Sequence, residues 1–225
     1  AAAAAAECGG SVCLIEKNEK LGKKLFITGK GRCNVTNAGD ADTFFENVRT
    51  NGKFLYSAFY KYDNRAVTEF LERAGCALKT ERGDRVFPVS DHSSDVIGAF
   101  QRELKKRGVE ILLNTEVREL VWDDDGSEKA VNYTPEARQE IRKENCQDGK
   151  GEGETREYSA ETSKEESGFH ARIRGVRLKN GKTLSADCCI VCTGGLSYPS
   201  TGSTGDGYRF ARDTGHGVEE CSPSL

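Results

Sequence analysis

The first 17 residues of the chain constrain its fold more than any later stretch does. Residues 1–8 are mostly alanine, a strong helix former, and Gly9 and Gly10 can end a helix in a left-handed conformation. Residues 11–17, SVCLIEK, form a short apolar run that ends in charged residues, which is typical of a buried parallel strand. A helix, a glycine turn and a strand in this order predict the second half of a βαβ unit. We therefore expect an α/β fold with a mostly parallel sheet.

Periodic patterns predict further helices and strands along the chain. Apolar residues recur at helical spacing in four stretches. The predicted helices lie at 54–60, 66–74, 94–107 and 205–213. Turn-forming pairs predict a hairpin at Gly83-Asp84 and another at Asn180-Gly181. The run CCIVC at 188–192 predicts a buried strand.

The nine cysteines predict neither a metal site nor a disulfide framework. Cys189 and Cys192 make a C-x-x-C pattern, but residues three apart on a strand face opposite sides of the sheet. The three histidines, His92, His170 and His216, are scattered, and no His/Cys cluster has zinc spacing. We expect reduced, structural cysteines and no bound metal.

Residues 123–168 differ in composition from the rest of the chain. They hold 14 acidic and 7 basic residues and few large apolar ones, so they cannot bury enough surface to offset their ordering entropy. We expect a disordered acidic insertion at 123–171, with a binding tail as the alternative. The insertion would separate a first domain part, residues 1–122, from a second part, residues 172–225. Without the insertion's net charge of −7, the other residues carry −3 + 7 = +4, which suits an anionic cofactor.

Composition also excludes several classes of protein. The apolar runs are too short to span a bilayer, and residues 1–6 lack the charged region of a signal peptide. A cytoplasmic protein is therefore expected, with no membrane partner. The whole-chain net charge of −3 and the lack of basic residues interleaved with aromatic ones argue against a nucleic-acid partner. The sequence does not predict an oligomeric state.

A lysine-rich and glycine-rich stretch, GKKLFITGKGRCNVTN, occupies residues 22–37. It does not match the phosphate-binding P-loop, because Gly29-Lys30 has the wrong upstream spacing and is followed by Gly31. The two glycines still permit close backbone approach, and Arg32 offers a planar fork to a phosphate or carboxylate. From the residues alone, an anion-binding loop and a solvated surface turn both remain open.

Glu16 stands where a dinucleotide-binding domain places a ribose-binding acid, at the end of the second strand. The glycine fingerprint of such a domain lies about 20 residues earlier, a distance that extends beyond residue 1. Strands often end in an acidic residue, so a purely structural Glu16 stays open as well.

Three segments resemble one family in detail. They are EKNEKLGKKLFITGKGRCNVTN, DRVFPVSDHSSDV and CTGGLSYPSTGSTGDGYRFARDTGH. These segments are similar to those of the aminoacetone-oxidase-like, BaiN-type family of bacterial FAD-dependent oxidoreductases. Proteins of that family have two dinucleotide-binding domains. The resemblance covers nearly all of residues 1–120 and 172–225. It implies a partial Rossmann-like FAD-binding domain with an attached antiparallel β-meander.

The resemblance also implies a set of cofactor-binding residues. Those implied to contact FAD are Glu16, Lys17, Lys24, Thr28, Gly29, Gly31, Arg32, Cys33, Asn34, Val117, Thr193, Gly194 and Gly195. Glu16 would bind the adenosine ribose, and the residues from Lys24 to Asn34 would lie along the pyrophosphate and flavin. Val117 would contact the adenine through its backbone. The loop at 197–207 would lie near the flavin or the substrate.

The function implied by the resemblance is that of a flavoprotein oxidoreductase. FAD, reduced by NAD(P)H, would pass hydride to a small organic substrate. Since the glycine fingerprint and a C-terminal part of the family are not in the sequence, we expect an incomplete piece that is inactive by itself. No acid–base constellation emerges, and no catalytic residue is assigned. A non-enzymatic nucleotide-binding or interaction module is the alternative.

Overall fold

The computed structural model describes residues 1–124 and 171–221. The chain divides into two compact units, one of Ala1–Val117 with Ile190–Leu225 and one of Arg118–Cys189. Most of the predicted acidic insertion, residues 125–170, lies outside the described residues.

The first unit combines short helices with short strands. Its α-helices are α1 (Ala2–Glu7), α2 (Lys23–Ile27), α3 (Ala41–Glu46), α4 (Tyr56–Lys61), α5 (Asn64–Arg73), α6 (Ser93–Lys106) and α7 (Asp206–Asp213). Its strands are β1 (Cys13–Ile15), β2 (Thr36–Asn37), β3 (Leu78–Glu81), β4 (Arg85–Pro88) and β5 (Glu110–Leu112). Turns of 3₁₀-helix occupy Thr28–Gly31, Gly52–Leu55 and Pro199–Thr201.

Strands β1 and β5 pair in parallel, with Leu14 opposite Ile111. Helix α1 leads into β1 through Gly9, whose φ of +85° ends the helix, so the predicted helix, glycine turn and strand are confirmed. The α/β fold is confirmed too. Leu14 is only half-buried, because β5 is the one strand that pairs with β1 among the described residues.

An antiparallel sheet with the order β2-β4-β3 forms the other part of this unit. Its β3–β4 hairpin turns at Gly83 and Asp84, which have φ values of +76° and +55°. The loop between the paired Glu81 and Arg85 has three residues, and glycine and aspartate accept its positive φ values. The hairpin prediction is confirmed.

The core of the first unit lies between α5 and α6. Leu71 and Ala99 are completely buried, and the rings of Phe70 and Phe100 lie 5.4 Å apart. Both helices have apolar residues at helical spacing on one face, and their predicted positions are confirmed. Cys33 is also completely buried in this core, which ties residues 28–34 to it.

The second unit contains an antiparallel sheet with the order β6-β7-β8. Its strands are β6 (Val117–Asp124), β7 (Ala171–Leu178) and β8 (Thr183–Ser185). The first residue of β6, Val117, is the last residue before the boundary between the two units. Strands β7 and β8 form the hairpin predicted at Asn180-Gly181, with φ of +87° at Gly181. Leu178 is 4 % exposed and provides apolar burial for this sheet.

The predicted buried strand at 188–192 is wrong. These residues have no strand geometry, and Ile190 and Val191 are 64 % and 43 % exposed. A strand forms only where a partner satisfies its backbone N–H and C=O groups. None of the described strands pairs with 188–192, so this apolar run forms no strand and four of its five residues are exposed.

Candidate functional site

The carboxyl end of β1 contacts the glycine loop, by which we mean residues 193–207. The Nζ atom of Lys17 donates to Oγ1 of Thr204 at 2.6 Å and to Oδ2 of Asp206 at 2.7 Å. The side-chain amide of Asn18 donates to the carbonyl oxygen of Thr201 at 3.1 Å. These bonds join segments that are more than 180 residues apart in the sequence. They assemble the first part of the site.

Glu16 is held in place by its neighbour Asn18. Its Oε1 atom accepts from the backbone N–H of Asn18 at 2.8 Å and from the side-chain amide of Asn18 at 2.7 Å. The backbone of Glu16 is fixed too, since its N–H donates to the carbonyl of Leu112 on β5 at 2.9 Å. The carboxylate of Glu16 is therefore fixed at the end of a parallel strand. Both bonds from Asn18 are accepted by the same carboxylate oxygen, Oε1.

Lys24 lies on α2 and reaches the start of the glycine loop. Its Nζ atom donates to the carbonyl oxygen of Ser197 at 2.5 Å and lies 5.1 Å from the ring centre of Tyr198. A cation over an aromatic face is attracted by the ring's negative charge density. Lys24 and Lys17 therefore hold the loop from two sides.

The carboxyl group of Asp206 stays ionised under the influence of its neighbours. Partial burial acts to raise its pKa, but the hydrogen bonds from Lys17 and Thr204 outweigh this effect and hold the pKa below its usual range. Asp206 also lies in the first turn of α7, where an acidic residue complements the helix dipole. The Lys17–Asp206 pair is thus a charged, partly buried bond at the site.

Glycine is required inside the glycine loop because the chain packs closely there. At Gly194, with φ of +73°, an added Cβ would lie 2.8 Å from Oγ of Ser203. At Gly202, with φ of +96°, it would lie 2.7 Å from Nδ2 of Asn18. Both distances are shorter than a carbon atom tolerates, so these positions need glycine for space and for conformation.

The stretch at 28–34 forms a tight turn after α2. Gly29, Lys30 and Gly31 all have positive φ values, of +58°, +58° and +88°. A Cβ at Gly29 would lie 2.9 Å from the backbone nitrogen of Asn34, whereas a Cβ at Gly31 would have no atom within 4 Å. Gly31 thus leaves open space beside the backbone. Thr28 closes the turn by donating to the carbonyl oxygen of Leu25 at 2.8 Å.

The guanidinium of Arg32 is bonded to two carboxylates and lies against an aromatic ring. Its guanidinium donates to Glu81 at 3.0 Å and to Asp91 at 3.1 Å, and it lies 4.0 Å from the ring centre of Phe87. Lys79 donates to Asp91 at 2.7 Å and completes the network. Hydrogen bonding from Arg32 lowers the pKa of Glu81, and hydrogen bonding from Lys79 lowers that of Asp91. This network ties the turn to β3 and to the segment after β4.

The remaining predicted residues lie in differing environments. The side chain of Cys33 is completely buried in the α5–α6 core, and burial raises the pKa of its thiol. Asn34 is exposed, and Val117 is half-buried at the start of β6. Thr193 and Gly194 are exposed, while Gly195 accepts a backbone bond from Gly205. The structure therefore brings Glu16, Lys17, Lys24 and the glycine loop together, whereas Arg32 bonds to Glu81 and Asp91 and Cys33 lies in the core.

Sequence reasoning missed Asn18 and Asp206, which organise this site. Asn18 orients Glu16 and contacts the glycine loop, and Asp206 pairs with Lys17. An acidic residue directly after a glycine, at the start of a predicted helix, was a signal for Asp206. No local signal pairs it with Lys17. In residues 1–124 and 171–221, no cluster of three or more metal-ligating side chains is found. Over the same residues, no helix is long and apolar enough to cross a membrane.

Comparison with known proteins places the chain in a family. It is 28 % identical, over its full 225 residues, to a 3-dehydro-bile acid delta(4,6)-reductase of Clostridium scindens, of which it covers 42 %. It is 23 % identical to a ribosomal RNA dihydrouridine synthase of Haemophilus influenzae, over 95 % of this chain and 42 % of that protein. It is also 23 % identical to a ribosomal RNA dihydrouridine synthase of Escherichia coli, over 96 % of this chain and 41 % of that protein. The chain thus spans about two fifths of the length of these curated relatives. The family model of the HI0933-like protein Rossmann domain matches residues 1–148, and the chain belongs to this family.

Proposed function

We propose that this chain is part of the FAD-binding domain of a flavin-dependent oxidoreductase of the BaiN type. The observation that carries the proposal is the fixed carboxylate of Glu16, which lies at the end of a parallel strand beside a glycine-rich loop. Ligands of open α/β sheets bind at the carboxyl ends of the strands, and an acid at this position bonds a ribose hydroxyl. The family membership supports the same assignment.

The residues present fit a dinucleotide in several respects. Glu16 uses Oε1 for both bonds to Asn18, and we assign Oε2 as the acceptor for a ribose hydroxyl. Gly31 leaves space beside the backbone, and Lys24 places a cation on the glycine loop at Ser197. Arg32 does not fit a phosphate-binding role, since two carboxylates already share its guanidinium. We therefore assign Arg32 to holding the turn that presents Gly29 and Gly31.

A bound flavin would supply the hydride chemistry, and the protein would supply binding and orientation. In this assignment Glu16 binds the ribose, and Lys17 and Lys24 hold the glycine loop in position. The relatives are a reductase and two dihydrouridine synthases, and these two names both describe the addition of hydrogen to an unsaturated compound. We propose a reduction of the same class for the whole protein, with NAD(P)H as the donor and an unsaturated organic substrate.

The experiment compares flavin binding by the full-length protein and two variants. Glu16→Gln keeps the shape of the side chain and an oxygen that accepts from Asn18, but it removes the negative charge. We expect FAD affinity to fall about tenfold or more, because a hydrogen bond to a charged group contributes roughly 1.5–3 kcal/mol. Glu110→Gln, at an exposed position on β5, is the matched control and should bind FAD like the wild type.

The visible absorption of the purified protein, read before and after FAD is added, gives the first result. Flavin bands in the wild type and weaker retention in Glu16→Gln support the proposal. No flavin in the wild type, even with added FAD, would contradict it and would favour a non-enzymatic nucleotide-binding or interaction module. If both variants retained as much FAD as the wild type, Glu16 would not be part of the FAD site. The assignment of a bound flavin would still stand.

A further inference from the structure

Asn18 lies between the carboxylate of Glu16 and the glycine loop and bonds to both of them. Its side-chain nitrogen, Nδ2, donates to Oε1 of Glu16 at 2.7 Å and to the carbonyl oxygen of Thr201 at 3.1 Å. Its backbone N–H donates to the same Oε1 atom at 2.8 Å. One amide group therefore joins the acid that we assign to the ribose to a loop that is 183 positions away in the sequence.

The two atoms that this amide joins are both hydrogen-bond acceptors. A carboxylate oxygen and a backbone carbonyl oxygen have no hydrogen to donate, so the group between them must supply two donors. The NH2 group of an asparagine has two N–H bonds, whereas a serine has one O–H and an ionised aspartate has no donor. The bond to Glu16 is also of the stronger, charge-assisted kind, because its acceptor is a carboxylate. The bridge therefore depends on an amide at position 18.

The glycine loop rests directly on this amide. The distance of 3.1 Å between Nδ2 and the carbonyl oxygen of Thr201 leaves no room for a water molecule between them. A Cβ added at Gly202 would lie 2.7 Å from the same Nδ2 atom. A shift of the loop at residues 201 and 202 would therefore move the amide of Asn18 and, with it, the carboxylate of Glu16.

Asn18 differs from the other residues that hold the loop. Lys17 and Lys24 already bond to the loop from two sides, and their bonds run from lysine to loop only. Asn18 bonds to the loop and also to Glu16. Both of its bonds to the carboxylate are accepted by Oε1, so Oε2 takes no bond from Asn18.

We propose that Asn18 is a positioning residue of the cofactor site. It occupies Oε1 of Glu16, leaves Oε2 for the ribose hydroxyl of FAD, and couples this orientation to the position of the glycine loop. Coupling of this kind is reciprocal, so bound FAD and the loop in its observed position stabilise each other. The inference rests on the proposed function, because Asn18 acts through the acid that we assign to the ribose.

The first test measures FAD affinity by fluorescence titration of the full-length protein after its flavin has been removed. Asn18→Ala removes the side-chain donor, and we expect an affinity lower by about tenfold, the loss expected for one hydrogen bond to a charged group. Asn47→Ala is the matched control, because it removes an exposed amide that donates to the carbonyl oxygen of Thr43 on α3. The control should bind FAD like the wild type.

Asn18→Asp should give a pH profile that a purely structural role would not produce. Two adjacent carboxylates repel each other at neutral pH, and as the pH falls they share one proton, which restores an O–H donor between them. The FAD affinity of this variant, divided by that of the wild type, should be lowest at about pH 8 and recover by about pH 5.5. The same ratio for Asn18→Ala should stay constant, since alanine does not titrate.

Other charged groups lie on the elements around the bridge. They are Lys17 on the residue before Asn18, Asp206 on α7 and Glu116 on the segment after β5. All three are present in the wild type and in both Asn18 variants, so the ratios of affinities isolate the effect of residue 18.

The second test examines the coupling to the loop. Gly202→Ala places a methyl group against Nδ2 of Asn18 and should lower FAD affinity. In the Asn18→Ala background the amide is gone, so the same methyl group has space and should cause a smaller further loss. The strain of a positive φ at residue 202 is the same in both backgrounds. Equal losses in the two backgrounds would show that the loop does not act through Asn18.

The outcomes separate this inference from the proposed function. Absence of FAD binding by the wild type would contradict both. FAD binding that Glu16→Gln weakens and Asn18→Ala leaves unchanged would overturn this inference alone, and so would equal losses in Asn18→Ala and Asn47→Ala. Circular dichroism checks that each variant folds. Asn18→Asp keeps the size of the side chain, so a profile without recovery at low pH overturns the inference even where Asn18→Ala does not fold.

Discussion

The Nζ atom of Lys17 lies 2.7 Å from Oδ2 of Asp206, and this ion pair joins the end of β1 to the first turn of α7. The two side chains are only 23 % and 22 % exposed, so removing one partner leaves a partly buried charge. Such a charge costs more than the loss of an exposed pair.

We expect Lys17→Met to lower the free energy of unfolding by about 1–2 kcal/mol, because Asp206 loses its charged donor. Urea unfolding measures this change. Lys23→Met removes a lysine from the more exposed pair with Glu19, and its effect on stability should be clearly smaller. Equal losses in the two variants would show that the Lys17–Asp206 bond has no special role.

The two glycines at the turn should respond differently to substitution. Gly29→Ala adds a Cβ that would lie 2.9 Å from both the backbone of Asn34 and the ring of Phe87, so we expect a loss of roughly 2–3 kcal/mol. Gly31→Ala meets no atom within 4 Å and pays only for its positive φ, about 1 kcal/mol. Thermal unfolding compares the two variants. A larger loss for Gly31→Ala would contradict the described turn.

The network around Arg32 should make stability depend on pH in the acid range. The pKa values of Glu81 and Asp91 are lowered in the folded state, so the folded protein binds fewer protons on these groups than the unfolded chain does. Their contribution is complete above the usual carboxyl pKa values, near 4, and is lost as the pH falls through the lowered values.

Glu81→Gln/Asp91→Asn should therefore flatten the decrease in stability below about pH 5. Unfolding in urea at a series of pH values tests this expectation. Glu72→Gln changes an exposed carboxylate on α5 outside the network and is the control. A decrease that is the same in all three proteins would exclude the network as its cause.

Thiol reactivity should separate the buried cysteines from the exposed ones. Cys33 and Cys76 are 0 % and 3 % exposed, and burial raises the pKa of each thiol, which lowers the amount of reactive thiolate. We expect a thiol reagent to modify Cys8 and Cys192 rapidly in the native protein and Cys33 only after unfolding. Peptide mass mapping identifies the modified residues. Rapid native modification of Cys33 would place its side chain at an accessible site instead of in the core.

The sequence by itself determined the local elements. Helices α5 and α6 follow from apolar residues at helical spacing, and the hairpins at Gly83-Asp84 and Asn180-Gly181 follow from turn residues that accept positive φ. These features depend on interactions between neighbours in the chain, and the amino-acid sequence specifies such interactions directly.

Tertiary structure alone decided which distant groups meet. The run at 188–192 has the composition of a strand, but pairing decides whether it becomes one, and none of the described strands pairs with it. Arg32 has the chemistry of a phosphate ligand, but the fold places Glu81 and Asp91 beside it. Lys17 meets Asp206 across 189 positions of sequence. Contacts of this range depend on how the elements pack, and no local pattern encodes that packing.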